Sequence, residues 1–336
     1  MALIGANAQG KTNLLESVAF LALGKSFRTR HAMETLGWDR PHGRIRGKVI
    51  TRDQDPTDAT EIEIFLQRTP ETKKVKKQQK VVPPKEFLGS LRVVLFTPDD
   101  MQLLSGSPSL RRQYMDRALV QLDPIYLDAF SNYQRLMKQR NMLLKQIQNR
   151  QSQEWELDIW DARIVTEAEV IWQRRGEFLK FLYGQLADLY KQISGGKQQL
   201  MLKYNSHEDR FAERLTAHRS NDIRMGSTSV GPHRDDFSLI LDDRNLAEFG
   251  SRGECRSAVL SLKLAEIHYI EERTGARPLL LLDDVFSELD ASRRGKLSEL
   301  LEAYQSIVTT TCRDHVSSLK KTKIYEVIEG EVKEVK

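Results

Sequence analysis

The chain has 336 residues, long enough for about two domains and a sizeable core. Hydrophobic residues make up 40% and charged residues 29%, which excludes a disordered chain, and no segment approaches the ~18 apolar residues of a membrane-spanning helix. The formal charge of +5 permits contact with a polyanion without establishing it, while the two cysteines, Cys255 and Cys312, form no CxxC pair and suggest neither a disulfide framework nor a zinc site.

A reducing cytosol fits, and the amino terminus has no basic region followed by an apolar stretch. A cytoplasmic chain, neither exported nor membrane-embedded, is expected. Residues 2–4 read as a short apolar strand, followed by a Gly-rich loop and a helical run over 12–23 that stops at Gly24. Strand character at 44–50, 60–68, 74–82 and 91–96, separated by Asp/Pro/Thr clusters, predicts an antiparallel sheet.

From about Ser109 to Ile193 the chain is long, charged and helical. Trp160, Ile164, Ala168, Ile171, Phe178 and Leu182 recur at helical spacing and predict a core face. After Ser194-Gly195-Gly196, a strand over 198–204 returns the chain toward a sheet, and a polar helix spans about 208–220. A strand pair at 237–241 and 245–249 turns through Asp242-Asp243-Arg244. A helix over 254–273 ends near Gly275, and residues 279–282 are apolar on both faces, as in a buried parallel strand.

Gly5-Ala6-Asn7-Ala8-Gln9-Gly10-Lys11-Thr12 is a complete G-x-x-x-x-G-K-T phosphate loop between a strand and a helix. Its glycines let backbone N–H groups and the helix N-terminus face a phosphate. Lys11 suits the β and γ oxygens, and Thr12 suits Mg²⁺. Downstream, the apolar run 279–282 delivers Asp283 and Asp284 to a strand's carboxyl end, where ligands bind in open α/β sheets. Asp283 suits Mg²⁺, and Asp284 suits orienting the attacking water or, on the plainer reading, capping a helix. An ordinary aspartate is a weak base at neutral pH, so positioning and slow turnover are expected. Ser251-Arg252-Gly253-Glu254 opens a helix and reads either as an N-cap or as an anion-facing signature.

In this serial order the chain resembles an ABC-type ATPase head, and in detail it resembles the RecF family. The resemblance rests on residues 5–13 (GANAQGKTN, including Asn13), 24–29 (GKSFRT), 96–100 (FTPDD), 231–236 (GPHRDD) and 281–290 (LLDDVFSELD). It implies an α/β fold with mixed parallel and antiparallel sheets around the phosphate-loop helix and an inserted, mostly helical lobe. The expected division is an ATPase lobe at 1–108 plus 197–336 and a helical lobe at 109–196. It also implies an ATP- and Mg²⁺-dependent head-to-tail dimer, in which Ser251 and Gly253 of one subunit close over ATP on the other's phosphate loop. Asp290 falls where the family's D-loop meets the dimer partner, and residues 97–100 resemble the Q-loop. The implied role is weak DNA-dependent ATP hydrolysis in DNA repair, replication, recombination and the SOS response. Such a protein loads recombinase at single-strand gaps and has RecR and RecO as partners.

The chain departs from the family in three places. The family's opening strands have no counterpart ahead of the phosphate loop. The signature carries Glu254 where glutamine is usual, placing negative charge toward ATP. The stretch after strand 306–310 reads Thr309-Thr310-Thr311 rather than carrying a switch histidine, and His315 reads as a surface residue. A transporter ATPase would instead show Leu-Ser-Gly-Gly-Gln and a glutamate after Asp283. An SMC-like rod would need a long heptad coiled coil, and the block at 109–193 is short and interrupted by Pro124 and Gly176.

Three basic groups are candidates for DNA, single-stranded or duplex at a gap junction: Arg111, Arg112, Arg117, Arg135, Lys138, Arg140, Lys145 and Arg150; Lys73, Lys74, Lys76, Lys77 and Lys80; and Lys25, Arg28 and Arg30. A solvated face explains each equally well. No zinc finger or recognition helix suggests base-specific reading.

Overall fold

The computed structural model describes residues 1–29, 31–50, 55–316, 319 and 322–335. The chain divides into two compact units, one of Met1–Met101, Leu189–Gly196 and Arg256–Lys336, the other of Gln102–Asp188 and Lys197–Cys255.

In the first unit the described residues build two sheets. The larger has strands β1 (Ala2–Ile4), β6 (Val93–Phe96), β10 (Leu279–Asp283), β11 (Ser306–Thr310), β12 (Ile324–Ile328) and β13 (Glu331–Val335) in the order β13-β12-β1-β11-β10-β6. All neighbours are parallel except the terminal hairpin β12–β13. The smaller is an antiparallel sheet of β2 (His42–Val49), β3 (Thr60–Gln67), β4 (Thr72–Lys77) and β5 (Lys80–Val81). The segment at 91–96 was expected in that antiparallel sheet. Its core, Val93–Phe96, instead runs parallel to β10, and all four of its residues are buried, which suits a two-faced strand.

Helix α1 (Lys11–Leu23) lies in both cores. Leu15, Ala19 and Leu23 pack with Val93, Leu95 and Leu281, while Phe20 and Leu21 pack with Ile62, Ile64 and Leu66. A helix covered on both sides needs no single apolar stripe, and the second half of α1, residues 18–23, is apolar all round. Removing the fully buried Phe20 ring, by Phe20→Ala, costs about 3–5 kcal/mol and loosens the element that carries Lys11.

The second unit contains helices Pro108–Val120 and Pro124–Gln148 and most of the 38-residue helix Leu157–Ser194. Ile164, Ala168, Ile171, Phe178 and Leu182 are fully buried, as their spacing predicts. Pro124 interrupts nothing, because it occupies the first turn of its own helix, where its missing N–H is harmless and Asp123 caps Ile125 and Tyr126. Gly176 sits inside the unbroken long helix with open space where a Cβ would be.

Residues 197–255 were expected in the ATPase lobe but group with the helical unit. The reason is strand pairing: β7 (Leu200–Asn205), β8 (Asp236–Leu241) and β9 (Arg244–Asn245) form their own antiparallel sheet. Residues 246–249, expected as strand, are a short helix capped by Asn245. The polar helix expected at 208–220 is two helices, Phe211–Ala217 and Arg219–Met225.

Buried ion pairs organise this unit. Arg175, 2% exposed, donates to Asp116 Oδ1 (2.7 Å), Asp235 Oδ2 (3.1 Å) and the Pro232 carbonyl (2.7 Å). Asp235 also accepts from Trp172 Nε1 (2.8 Å), Tyr204 OH (2.6 Å) and the His207 N–H (3.0 Å). Arg140, fully buried, donates to Asp161, Asp222 and Thr228. Losing one partner of such a set strands a buried charge, at about 3–5 kcal/mol. Two cations of the first basic group are therefore structural: Arg140, and Arg111, which forks onto Asp236 at 2.5 and 2.9 Å. Lys76 pairs with Glu63, and Arg30 lies outside the described residues.

Candidate functional site

The phosphate loop leaves β1 at Gly5, where a Cβ would stand 2.5 Å from the Val327 carbonyl oxygen, so only glycine lets the loop pass β12. Ala8 and Gly10 take left-handed φ values of 64° and 99°, closing the loop onto α1. The turn of the terminal hairpin supports the outside of the loop. The Glu329 N–H donates to Gln9 Oε1 (2.7 Å) and the Gly330 N–H to the Gln9 carbonyl (3.0 Å). Residues 329–330 were not singled out in the sequence, and only their turn composition marks them.

The loop, Arg28, Asp283, Asp284, Thr309 and Thr311 line one cavity of about 410 Å³. Lys11 Nζ donates to the Gly5 and Ala6 carbonyls at 2.8 and 2.7 Å, which leaves one ammonium donor for another acceptor. Burial lowers the Lys11 pKa, and the carboxylates of Asp284 and Asp283 oppose that shift. Thr12 Oγ1 donates to Asp283 Oδ1 (2.9 Å), and Thr309 Oγ1 donates to the same oxygen (2.7 Å). Thr309 also accepts the Asp284 N–H (3.0 Å) and so joins the two carboxylates, a role the sequence reading missed.

Asp284 has a φ of 47° and opens the short helix Val285–Glu288 without a side-chain cap bond. Its Oδ1 is buried with no hydrogen-bond partner among the described residues. The plainer reading of Asp284 as a helix cap therefore lacks its hydrogen bond, and an orphaned carboxylate oxygen at the cavity fits a bound water.

The Thr12 hydroxyl and the Asp283 carboxylate, adjacent at the cavity, match the few protein ligands Mg²⁺ takes when phosphate oxygens and water complete its shell. Among the described residues no cluster of three or more His, Cys, Asp or Glu could hold a metal unaided.

The other predicted residues stand elsewhere. Asn13 Oδ1 accepts from Arg28 (2.8 Å), which draws Arg28, grouped with the basic patches in the sequence, to the cavity. Asp290 caps helix Ala291–Ala303, accepting from the Arg293 N–H (3.0 Å) and pairing with its guanidinium. The Thr97–Asp100 segment is pinned by Lys263, 1% exposed, which binds Asp100 (2.9 Å) and the Leu95 carbonyl (2.7 Å). His315 is half-buried and bonded to the Thr310 hydroxyl (3.1 Å), not a plain surface residue.

Ser251 and Gly253 belong to the second unit, at the start of helix Arg252–Thr274. Ser251 and Glu254 form a reciprocal capping box. The Ser251 N–H donates to Glu254 Oε2 (2.8 Å), and the Glu254 N–H donates to Ser251 Oγ (3.3 Å). The Ser251 N–H, the Ser251 hydroxyl and the Gln198 amide, all donating to the Glu254 carboxylate, hold its pKa below the ordinary range.

The family model for the RecF/RecN/SMC N terminal domain matches residues 1–334. Proteins named DNA replication and repair protein RecF from Bacillus cytotoxicus and Bacillus thuringiensis strain Al Hakam are 36% and 37% identical to this chain. Each alignment covers 98% of this chain and 91% of the relative. A solved structure of the recombination mediator protein RecF-ATP in the RecFOR pathway superposes with a TM-score of 0.91 at 31% identity, covering 100% of this chain and 91% of that one. An Smc head domain from Pyrococcus furiosus superposes at 0.56 and 15% identity over 99% of this chain and 89% of that one, a likeness of fold alone. With a phosphate loop closed on an Asp-Asp strand end, an inserted helical unit and these relatives, the chain belongs to the RecF family.

Proposed function

We propose that this protein is an ATP-binding DNA-repair protein in which ATP, held with Mg²⁺ in the phosphate-loop cavity, drives a head-to-tail dimer on DNA. The observation that carries the reading is the convergence of Lys11, Thr12, Asp283 and Asp284 on one cavity from two distant parts of the chain. Lys11 and the loop N–H groups would hold the phosphates. Thr12 and Asp283 would hold Mg²⁺, which neutralises phosphate charge when bound. Asp284, with its unpartnered oxygen, would orient the attacking water, and slow hydrolysis would release the dimer.

Ser251 and Gly253 would close over the ATP of the opposite subunit, with Asp290 near the dimer contact. By analogy with relatives named for the RecFOR pathway, the dimer would promote recombinase loading at single-strand gaps in the cytoplasm, with RecR and RecO as partners. The exposed cations Arg135 and Arg150, and Lys74 and Lys80, remain the candidates for salt-sensitive phosphate contacts. Titration calorimetry of ATP–Mg²⁺ into the chain and into Lys11→Met tests the site. Binding to the first and at least a hundredfold loss in the second is expected, and equal binding refutes it.

A further inference from the structure

The Gly-Pro-His part of the 231–236 motif has no place in the nucleotide site. It builds one wall of a groove of about 710 Å³ that lies wholly within the second unit. Gly231 has no room for a Cβ, which would stand 2.6 Å from Tyr133 OH, and His233 Nδ1 bonds that same hydroxyl at 2.7 Å. Arg175 holds the Pro232 carbonyl. This wall is therefore fixed by buried polar contacts rather than by loop packing.

The floor and rim differ in character. Phe130 and Met137 supply apolar surface beside Pro232, and Met142, 50% exposed, stands at the edge. Lys138, Met142 and Lys145 follow at spacings of four and three on helix Pro124–Gln148, so they share a face. Lys138 and Lys145 are exposed, and neither has an ion-pair partner among the described residues. Arg112 adds a third cation and uses one donor on the Asp235 carbonyl (2.8 Å). The lining carboxylate, Asp116, is already held by Arg175 and Tyr126, so the groove keeps a positive excess over an apolar floor.

We propose that this groove docks an acidic, amphipathic helical segment of a partner protein, its apolar side chains on the floor and its carboxylates on Arg112, Lys138 and Lys145. An amphipathic helix lays its apolar face into such a floor, the cations here complement acidic side chains along its edges, and methionines adapt to the entering side chains. A phosphate backbone would answer the cations but leave Met142 and the floor wet. Base stacking is disfavoured because one face of Phe130 already lies on Tyr126, with centroids 5.8 Å apart and planes 9° apart. No phosphate-loop residue takes part, so this docking stands apart from the nucleotide reading.

The test is fluorescence anisotropy with the full chain and labelled helical peptides of about four turns, Leu and Phe on one face and Glu and Asp along its edges. A dT oligonucleotide is the competitor. The acidic peptide should bind, and K138E/K145E and Met142→Asp should each weaken it about tenfold or more. The Glu/Asp→Gln/Asn peptide should weaken comparably, while Lys11→Met changes nothing. The K138E/K145E chain keeps its melting temperature, because both lysines are exposed. Absence of peptide binding overturns the proposal, as does binding indifferent to these variants. Loss of oligonucleotide rather than peptide binding in K138E/K145E also overturns it, making the groove a nucleic-acid surface.

Discussion

Thr12 Oγ1 donates to Asp283 Oδ1 over 2.9 Å, joining residues 271 positions apart. The bond exists because β1, which ends in the phosphate loop, and β10, which ends in Asp283, are both parallel neighbours of β11. Thr309 of β11 donates to the same carboxylate. Pairing to β11 thus brings the Thr12 hydroxyl and the Asp283 carboxylate together from distant parts of the chain.

Asp284→Asn should keep the fold and ATP affinity, because asparagine tolerates the left-handed φ of 47° at this position. Hydrolysis, followed by phosphate release, should fall about a hundredfold or more, since the amide cannot hold the water as the carboxylate does. An unchanged rate would remove Asp284 from the mechanism.

Gly5→Ala should lower the melting temperature and weaken ATP binding together, because its Cβ meets the Val327 carbonyl oxygen at 2.5 Å. The expected cost is about 1–3 kcal/mol. Gly24→Ala is the control: its φ of 65° is strained, but nothing lies within 4 Å of the new Cβ. It should cost stability without costing ATP affinity, and equal loss of affinity in both would discount the loop's contact with β12.

Glu254→Gln keeps the capping box, since glutamine can serve as its second member. It removes the charge that now answers the Ser251 N–H. ATP-driven self-association, read by light scattering, should strengthen a few-fold while stability changes by less than about 1 kcal/mol. Weaker association would mean that Glu254 aids closure.

Burial pushes the His233 pKa down to about 4, although its bond to the Thr228 carbonyl works in the opposite sense. Nε2–H donates to that carbonyl (3.1 Å) and Nδ1 accepts from Tyr133, so the neutral ring is fully bonded. An unfolded histidine titrates near ~6.5. Between that value and the folded one the unfolded chain binds a proton the folded chain refuses. Stability is therefore complete above ~6.5 and lost as pH falls toward 4, by about 2–3 kcal/mol. Denaturant midpoints at pH 7.5 and 5 should differ for the natural chain and differ less for His233→Gln.

The candidate site's cavity was legible because its parts are local motifs: the phosphate loop, and an apolar strand ending in Asp283-Asp284. Contacts made only by folding were not. Thr309 as the bridge, Arg28 at the cavity and the Glu329–Gly330 turn against Gln9 have no periodicity to announce them. Boundaries failed for the same reason. β7 and β6 read correctly as strands, but pairing decided their sheets, and pairing is not encoded in either segment alone. Arg111 and Arg140 looked like surface charge because a buried cation and an exposed one are the same letter until a carboxylate from a distant segment arrives.

Sedimentation velocity with and without ATP–Mg²⁺, each with and without a labelled gapped duplex at two salt concentrations, tests the central claim most directly. The account predicts a monomer that becomes a dimer with ATP–Mg²⁺ and then binds the duplex, more weakly at high salt. A chain that binds ATP yet stays monomeric and ignores DNA would contradict it.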